Sequence, residues 1–239
     1  ASGGLLANLS RMRANVAALR AAGLLNPRLV IGLARASKTW GPTLAAGVAA
    51  AAATRPDEVG LIDDLGSLTF RELDERTNAL ANSLAREGLR QGASVAILCR
   101  NHRGFVESSV AVNKLGADAL FLNTGFAGPQ LVEVVTREGA HCVVYDDEFA
   151  GVVEPNLRDV AIYLSWHDEA GGRTTVEQMI AAGAKAPPPP PSRPGRATIL
   201  TSGTTGTPKG AQRESKQLSL DTTAGILERL PMRVGDRYL

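Results

Sequence analysis

From Val59 onward the chain alternates short apolar runs with helix-forming stretches, and that alternation restricts it to one class of fold. Residues 60–63 and 68–70 read as two strands around an Asp64-Leu65-Gly66 turn. Thr69 with Glu72 three positions later predicts a capping box at the start of a helix. That helix carries Leu73, Leu80, Ala81 and Leu84 on one stripe, and Gly88 marks its end. Residues 94–99 form a continuous apolar run, as a strand covered on both faces requires. A helix over 103–115, a strand over 118–122 and a helix opened by Pro129 follow. Strands over 142–145 and 160–164 and a short helix over 174–182 complete the series. The prediction is an α/β fold, layered, with largely parallel sheets and flanking helices.

Residues 1–56 differ in kind. They contain no Asp or Glu, while Arg11, Arg13, Arg20, Arg28, Arg35, Lys38 and Arg55 supply seven positive charges. Leu5, Leu6, Leu9, Met12, Val16 and Leu19 recur at spacings near three and four, which predicts an amphipathic helix. Pro27 opens a second helical piece running to Ala36. The uncharged stretch 39–54 is short and broken by Gly41-Pro42, unlike a membrane span. A basic, apolar-faced helix suits an anionic membrane surface, and it equally suits packing on the protein's own domain. Peripheral membrane contact through residues 5–38 is therefore one expectation. The chain divides into this basic segment (1–56), an α/β subdomain (57–186), a proline-rich linker (187–196), and a second, incomplete subdomain (197–239). The last part is read as a strand, a loop and a following helix.

Net charge of +2 and the lack of an aromatic-interleaved basic stripe argue against a nucleic-acid partner. Cys99 and Cys142 sit in apolar runs and read as small buried hydrophobes, which points to a reducing cytoplasm. His102, His141 and His167 are dispersed, without ligand partners at metal-binding spacing. Asp146-Asp147-Glu148 reads as a solvated strand end, Asn101-His102-Arg103 as a helix cap, and Trp40 and Trp166 as packing residues.

The chemistry concentrates in Thr201-Ser202-Gly203-Thr204-Thr205-Gly206-Thr207-Pro208-Lys209-Gly210, which follows a short apolar strand at 197–200. The glycines permit tight turns and leave amide N–H groups uncovered, while the threonines and serine add hydroxyl donors. Lys209 adds a mobile cation. Such a set suits the oxygens of a polyphosphate. It is not a Walker A motif, because Gly203 and Gly206 are two residues apart and Pro208 precedes the lysine.

The loop resembles the phosphate loop of the adenylate-forming superfamily, most of all a bacterial fatty-acyl-CoA synthetase. Ser67-Leu68-Thr69-Phe70-Arg71-Glu72-Leu73 with Asn78-Ala79-Leu80-Ala81, Val95 to Asn101, and Lys114-Leu115-Gly116-Ala117 through Leu122-Asn123 resemble the family's segments in the same order. The resemblance covers roughly residues 55–230 and implies the N-terminal part of an adenylate-forming large domain. It implies ATP-dependent activation of a fatty or related hydrophobic carboxylic acid to acyl-adenylate and then acyl-CoA, with ATP, Mg²⁺ and CoA as cofactors. Thr201, Ser202, Gly203, Thr204, Thr205, Gly206, Thr207 and Lys209 would hold the nucleotide phosphates, and Thr201 would also ligate Mg²⁺. The family's adenylation lysine belongs to a C-terminal domain that lies past this chain. No catalytic residue is thus expected here, and the chain is expected to be inactive alone. The family's usual histidine shortly after the loop is replaced by Ser215. Two other readings stay open: a fatty-acyl-AMP ligase that loads a carrier protein, and a noncatalytic phosphate-loop module for membrane or partner attachment. The expected location is the cytoplasm, peripheral to the inner membrane face.

Overall fold

The computed structural model describes residues 2–201, 209–213, 233, 235 and 236. Helices α1 (Ser2–Ala21), α2 (Pro27–Trp40) and α3 (Leu44–Thr54) lead into a two-stranded antiparallel hairpin, β1 (Val59–Asp63) and β2 (Gly66–Thr69). After α4 (Phe70–Arg86) the chain builds one sheet in the spatial order β6-β5-β3-β4-β7-β8. Its strands are β3 (Ser94–Leu98), β4 (Asp118–Phe121), β5 (Ala140–Tyr145), β6 (Ala161–Leu164), β7 (Ala197–Thr201) and β8 (Lys209–Arg213). The first five run parallel and β8 returns antiparallel. The connecting helices are α5 (Arg103–Lys114), α6 (Gly128–Arg137), α7 (Ala150–Val153, after a 3-10 turn at Asp147–Phe149) and α8 (Val176–Ala182). Residues 197–213, read from sequence as the opening of a second subdomain, supply β7 and β8 of this same sheet.

Period-two alternation sorts the strand side chains into two layers. Val95 and Ile97 of β3 join Leu80 and Leu84 of α4, Val112 of α5 and Met179 and Ile180 of α8 in one cluster. Ala96 and Leu98 face the other way, onto Leu131, Val134 and Val135 of α6 and Val153 of α7. Both faces of β3 are covered, which is why it had to be apolar at consecutive positions. A third, alanine-rich cluster seats Ala36 and Trp40 of α2 with Ala45, Ala46 and Ala50 of α3 against Val110 of α5. Alanine, with its short side chain, lets these helices approach closely in a chain with few aromatics.

The local signals act as the sequence predicts. Thr69 N donates to Glu72 Oε2 at 2.7 Å while Glu72 N donates to Thr69 Oγ1 at 3.2 Å, which completes the capping box of α4. Gly88, at φ 93°, turns the chain out of that helix, with Leu89 N bonded to Leu84 O. Polar side chains then tie the helices together. Arg76 of α4 binds Glu107 of α5 at 2.5 Å and Glu177 of α8 at 2.5 Å. Lys114 is fully buried, and its Nζ donates to Asp74 Oδ1 at 2.7 Å, Thr77 Oγ1 at 2.9 Å and Asn78 Oδ1 at 2.5 Å. Burial pulls the Lys114 pKa below the usual lysine value, although Asp74 opposes that shift.

The proline-rich segment is packed. Gln91 Oε1 accepts from Ser192 N at 2.7 Å, and a Cβ placed on Gly116 would stand 2.6 Å from Pro191 Cβ and from Arg193 O. Residues 191–196 therefore lie against the turns that precede β3 and β4 and deliver the chain to β7.

Candidate functional site

Strand β7 lies beside β4 with Ala119 opposite Ala197 and Phe121 opposite Ile199. Its entry is fixed by Asp118 at the amino end of β4. That carboxylate accepts from Arg196 N at 2.9 Å and Arg196 Nη2 at 2.9 Å, and it also pairs with Arg193 at 3.3 Å. Burial raises the Asp118 pKa, but the hydrogen bonds and charges of Arg196 and Arg193 outweigh it and hold the carboxyl below its usual value. At the far end of β7, Thr201 stands opposite Lys209, the first residue of β8. The strand ends that bracket the loop motif therefore lie at the carboxyl edge of the parallel sheet, where open α/β sheets bind ligands. Thr201 and Lys209 form the base of that loop. Ser202, Gly203, Thr204, Thr205, Gly206 and Thr207 lie outside the described residues, as do Ser215 and the helix expected after the loop.

The same edge carries residues that sequence reading left out of the site. β3 proceeds to β4 on one side and β5 to β6 on the other, so the loops leaving β3 and β5 diverge there. Arg100, just past β3, pairs with Glu148 at 2.8 Å, reaches Thr124 Oγ1 at 3.5 Å and lies 5.3 Å from the Phe149 ring centroid. It links the carboxyl ends of β3, β4 and β5. Asp146 is 3% exposed and accepts from Arg100 N at 2.7 Å and His102 Nε2 at 2.9 Å. The expectation of a solvated strand end fails at this residue, because two donors from the neighbouring loop draw the carboxylate inward. Asp147 meets Arg173 instead.

Cys99, His102 and Asp146 bring ligand-type atoms within 4.8 Å of one another, a grouping that their spacing along the chain conceals. The hydrogen bonding does not suit a metal. His102 Nδ1 accepts from Gly104 N at 3.1 Å as the N-cap of α5, so the ring proton sits on Nε2 and points at Asp146. A metal would need the Nε2 lone pair. The Cys99 thiol is pushed well up, first by burial and then by the Asp146 charge, so it is a poor thiolate ligand and a poor nucleophile. The group works as a clamp between two loops, with the Trp166 ring 4.7 Å from that of His102.

A cavity of about 520 Å³ opens between α4, α5 and α8, lined in part by Arg76, Arg103, Glu107, Trp166, His167 and Glu177. Its charges are already matched. Arg103 binds Asp63 at 2.6 Å, and Arg76 binds both glutamates. Its lining residues Ser165, Trp166 and His167 directly follow β6, the outermost parallel strand on the side away from β7, roughly 19 Å across the sheet. That side of the cavity is thus remote from β7.

Residues 48–239 match the AMP-binding enzyme family. The chain is 34% identical over 107 residues to a 2-succinylbenzoate–CoA ligase of Geobacillus sp. (strain WCH70), a match covering 45% of this chain and 22% of that protein. It is 26% identical over 169 residues to a medium/long-chain-fatty-acid–CoA/3-oxocholest-4-en-26-oate–CoA ligase of Mycobacterium marinum (strain ATCC BAA-535 / M), covering 65% of this chain and 31% of that one. The fold is similar to that of the anthranilate CoA ligase AuaEII, solved in complex with anthranoyl-AMP. The TM-score is 0.65 at 23% identity, over 72% of this chain and 35% of that one. The chain spans less than a third of the length of the two curated relatives.

Proposed function

The chain belongs to the AMP-binding enzyme family, and from that premise we propose that it is the N-terminal, phosphate-binding portion of an ATP-dependent acid–CoA ligase. The observation that supports this reading is the pairing of Thr201 with Lys209, which brings the two ends of the hydroxyl- and glycine-rich motif together at the carboxyl end of β7. In the first half-reaction a carboxylate oxygen bonds to the α-phosphorus of ATP, and the bond to pyrophosphate breaks. In the second, the CoA thiol sulfur bonds to the acyl carbon, AMP leaves and the thiol proton is released. Charge gathers on the departing pyrophosphate, so donors fixed around its oxygens lower the barrier.

Thr201, Ser202, Thr204, Thr205 and Thr207 offer hydroxyls, Gly203 and Gly206 offer uncovered amides, and Lys209 neutralises the pyrophosphate side. The Thr201 hydroxyl is a hard oxygen donor, which fits Mg²⁺ together with phosphate oxygens and water. The ion would supply further neutralisation of phosphate charge. We take the acid to be a fatty or related hydrophobic one. The name of the Mycobacterium marinum relative supports this, while the 2-succinylbenzoate relative requires that aromatic acids be tried beside it. Dependence on ATP and CoA suits a cytoplasmic site.

The test is carboxylate-dependent ATP–pyrophosphate exchange by the full-length protein, with fatty and aromatic acids in parallel and Lys209→Ala alongside. Exchange that requires an acid and falls about 100-fold in the variant supports the reading. Absence of exchange with every acid, from folded protein, overturns it.

A further inference from the structure

The first 40 residues are built unlike the rest. Eleven large hydrophobic side chains stand exposed among the described residues, and seven of them fall between Met12 and Leu44. On α1 these include Met12 and Val16, one turn apart. Leu25 occupies the connection, and Val30, Ile31 and Leu33 belong to α2. Helix α2 has already used its inner face, since Ala36 and Trp40 are buried in the alanine-rich cluster. Val30 and Ile31 lie on the opposite side of the helix from those two, in line with Ala34 and Lys38. Ile31 is 51% exposed and Val30 48%, values that no inward-facing residue of α4 or α5 approaches.

The charge around this apolar surface has one sign. Arg55 is already paired with Glu58 at 3.3 Å, whereas Arg11, Arg13, Arg20, Arg28, Arg35 and Lys38 meet no acidic residue within positions 1–56. A second copy of the same surface would bring cation against cation, whereas an anionic surface gains from every one of these residues. The family match covers residues 48–239, so α1 and α2 lie outside the matched region. Among the described residues no helix is long and apolar enough to cross a membrane.

We propose that the outer face of α2, together with the exposed Met12 and Val16 of α1, docks on the surface of an anionic lipid bilayer. Val30, Ile31, Met12 and Val16 would enter the boundary of the acyl chains, and Arg28, Arg35 and Lys38 would meet the headgroups. The contact is a combination of two weak terms, apolar insertion and charge, and removal of either releases it. The inference stands independently of the acid activated by the protein.

Flotation with vesicles tests it, using the full 239-residue chain. Phosphatidylcholine vesicles containing phosphatidylglycerol are compared with phosphatidylcholine alone. The chain is expected to float with the anionic vesicles only, and to release at high salt. Replacing Arg28 and Arg35 by Gln should weaken partitioning on the order of 30-fold. The double change Val30→Asp with Ile31→Asp should abolish it, while Ile62→Asp, at an exposed position on β1, leaves it unchanged. Unaltered far-UV circular dichroism and melting temperature exclude misfolding as the cause. The proposal falls if wild type ignores anionic vesicles, or if Val30→Asp/Ile31→Asp floats as well as wild type. It falls equally if the lipid-free chain is a dimer that the same double change converts to monomer, because the face is then a contact between copies.

Discussion

Lys114 occupies a position that few lysines tolerate. Its ammonium is removed from water and survives there because three donors meet acceptors of Asp74, Thr77 and Asn78 on α4. Lys114→Ala leaves those acceptors facing a cavity, and a loss of about 3–5 kcal/mol is expected from the urea midpoint. Asp118 acts through pH. Its carboxyl has a value below the ordinary 3.8 in the folded chain, so its stabilisation is complete above that value and is lost as pH falls through the lowered one. Acid unfolding followed by circular dichroism should therefore begin at higher pH in Asp118→Asn, and the variant's stability should vary less steeply below pH of about 4.

At the scale of elements, β7 is held at its amino end by the chain that leads into it. Gly195 passes so close to the turn before β4 that a Cβ there would lie 2.0 Å from Ala117 O. Gly195→Ala should push β7 from β4. Hydrogen exchange measures this directly, through the Ala119 amide that bonds to Arg196 O at 2.8 Å. Its protection is expected to fall at least tenfold, while amides between β3 and β5 keep theirs. Equal loss throughout the sheet would mean that the two halves unfold as one unit. The helix starts and stops around this frame were legible in sequence, because caps such as Thr69/Glu72 and Gly88 act within a few residues. Helix α3 was less visible. Its alanine run has no polar face to give a period, and only burial against Val110 makes it an element. Strand β8 is not legible in sequence: Lys209 and Gly210 belong to the loop motif and Ala211-Gln212-Arg213 to the segment after it, and this stretch of little strand preference pairs because β7 offers an edge.

For the molecule as a whole, the class of fold follows from the alternation of apolar runs, whereas the order of strands does not. Nothing local to residues 197–201 says that they lie beside β4 and not beside β6, the strand they follow. The candidate site divides in the same way. The ten-residue motif is contiguous and can be read directly. The Arg100, His102 and Asp146 arrangement joins loops 44 residues apart at His102 and Asp146, and only the sheet brings them together. That order also has a consequence in time. Asp118 and Arg196 are separated by 78 residues, so on a ribosome adding about 5–20 residues per second the outer edge of β4 waits several seconds for its partner. Through that interval it presents a row of unpaired amides and carbonyls to whatever is near. The chain's most exposed moment thus comes during its own synthesis, and it ends when β7 arrives to cover β4.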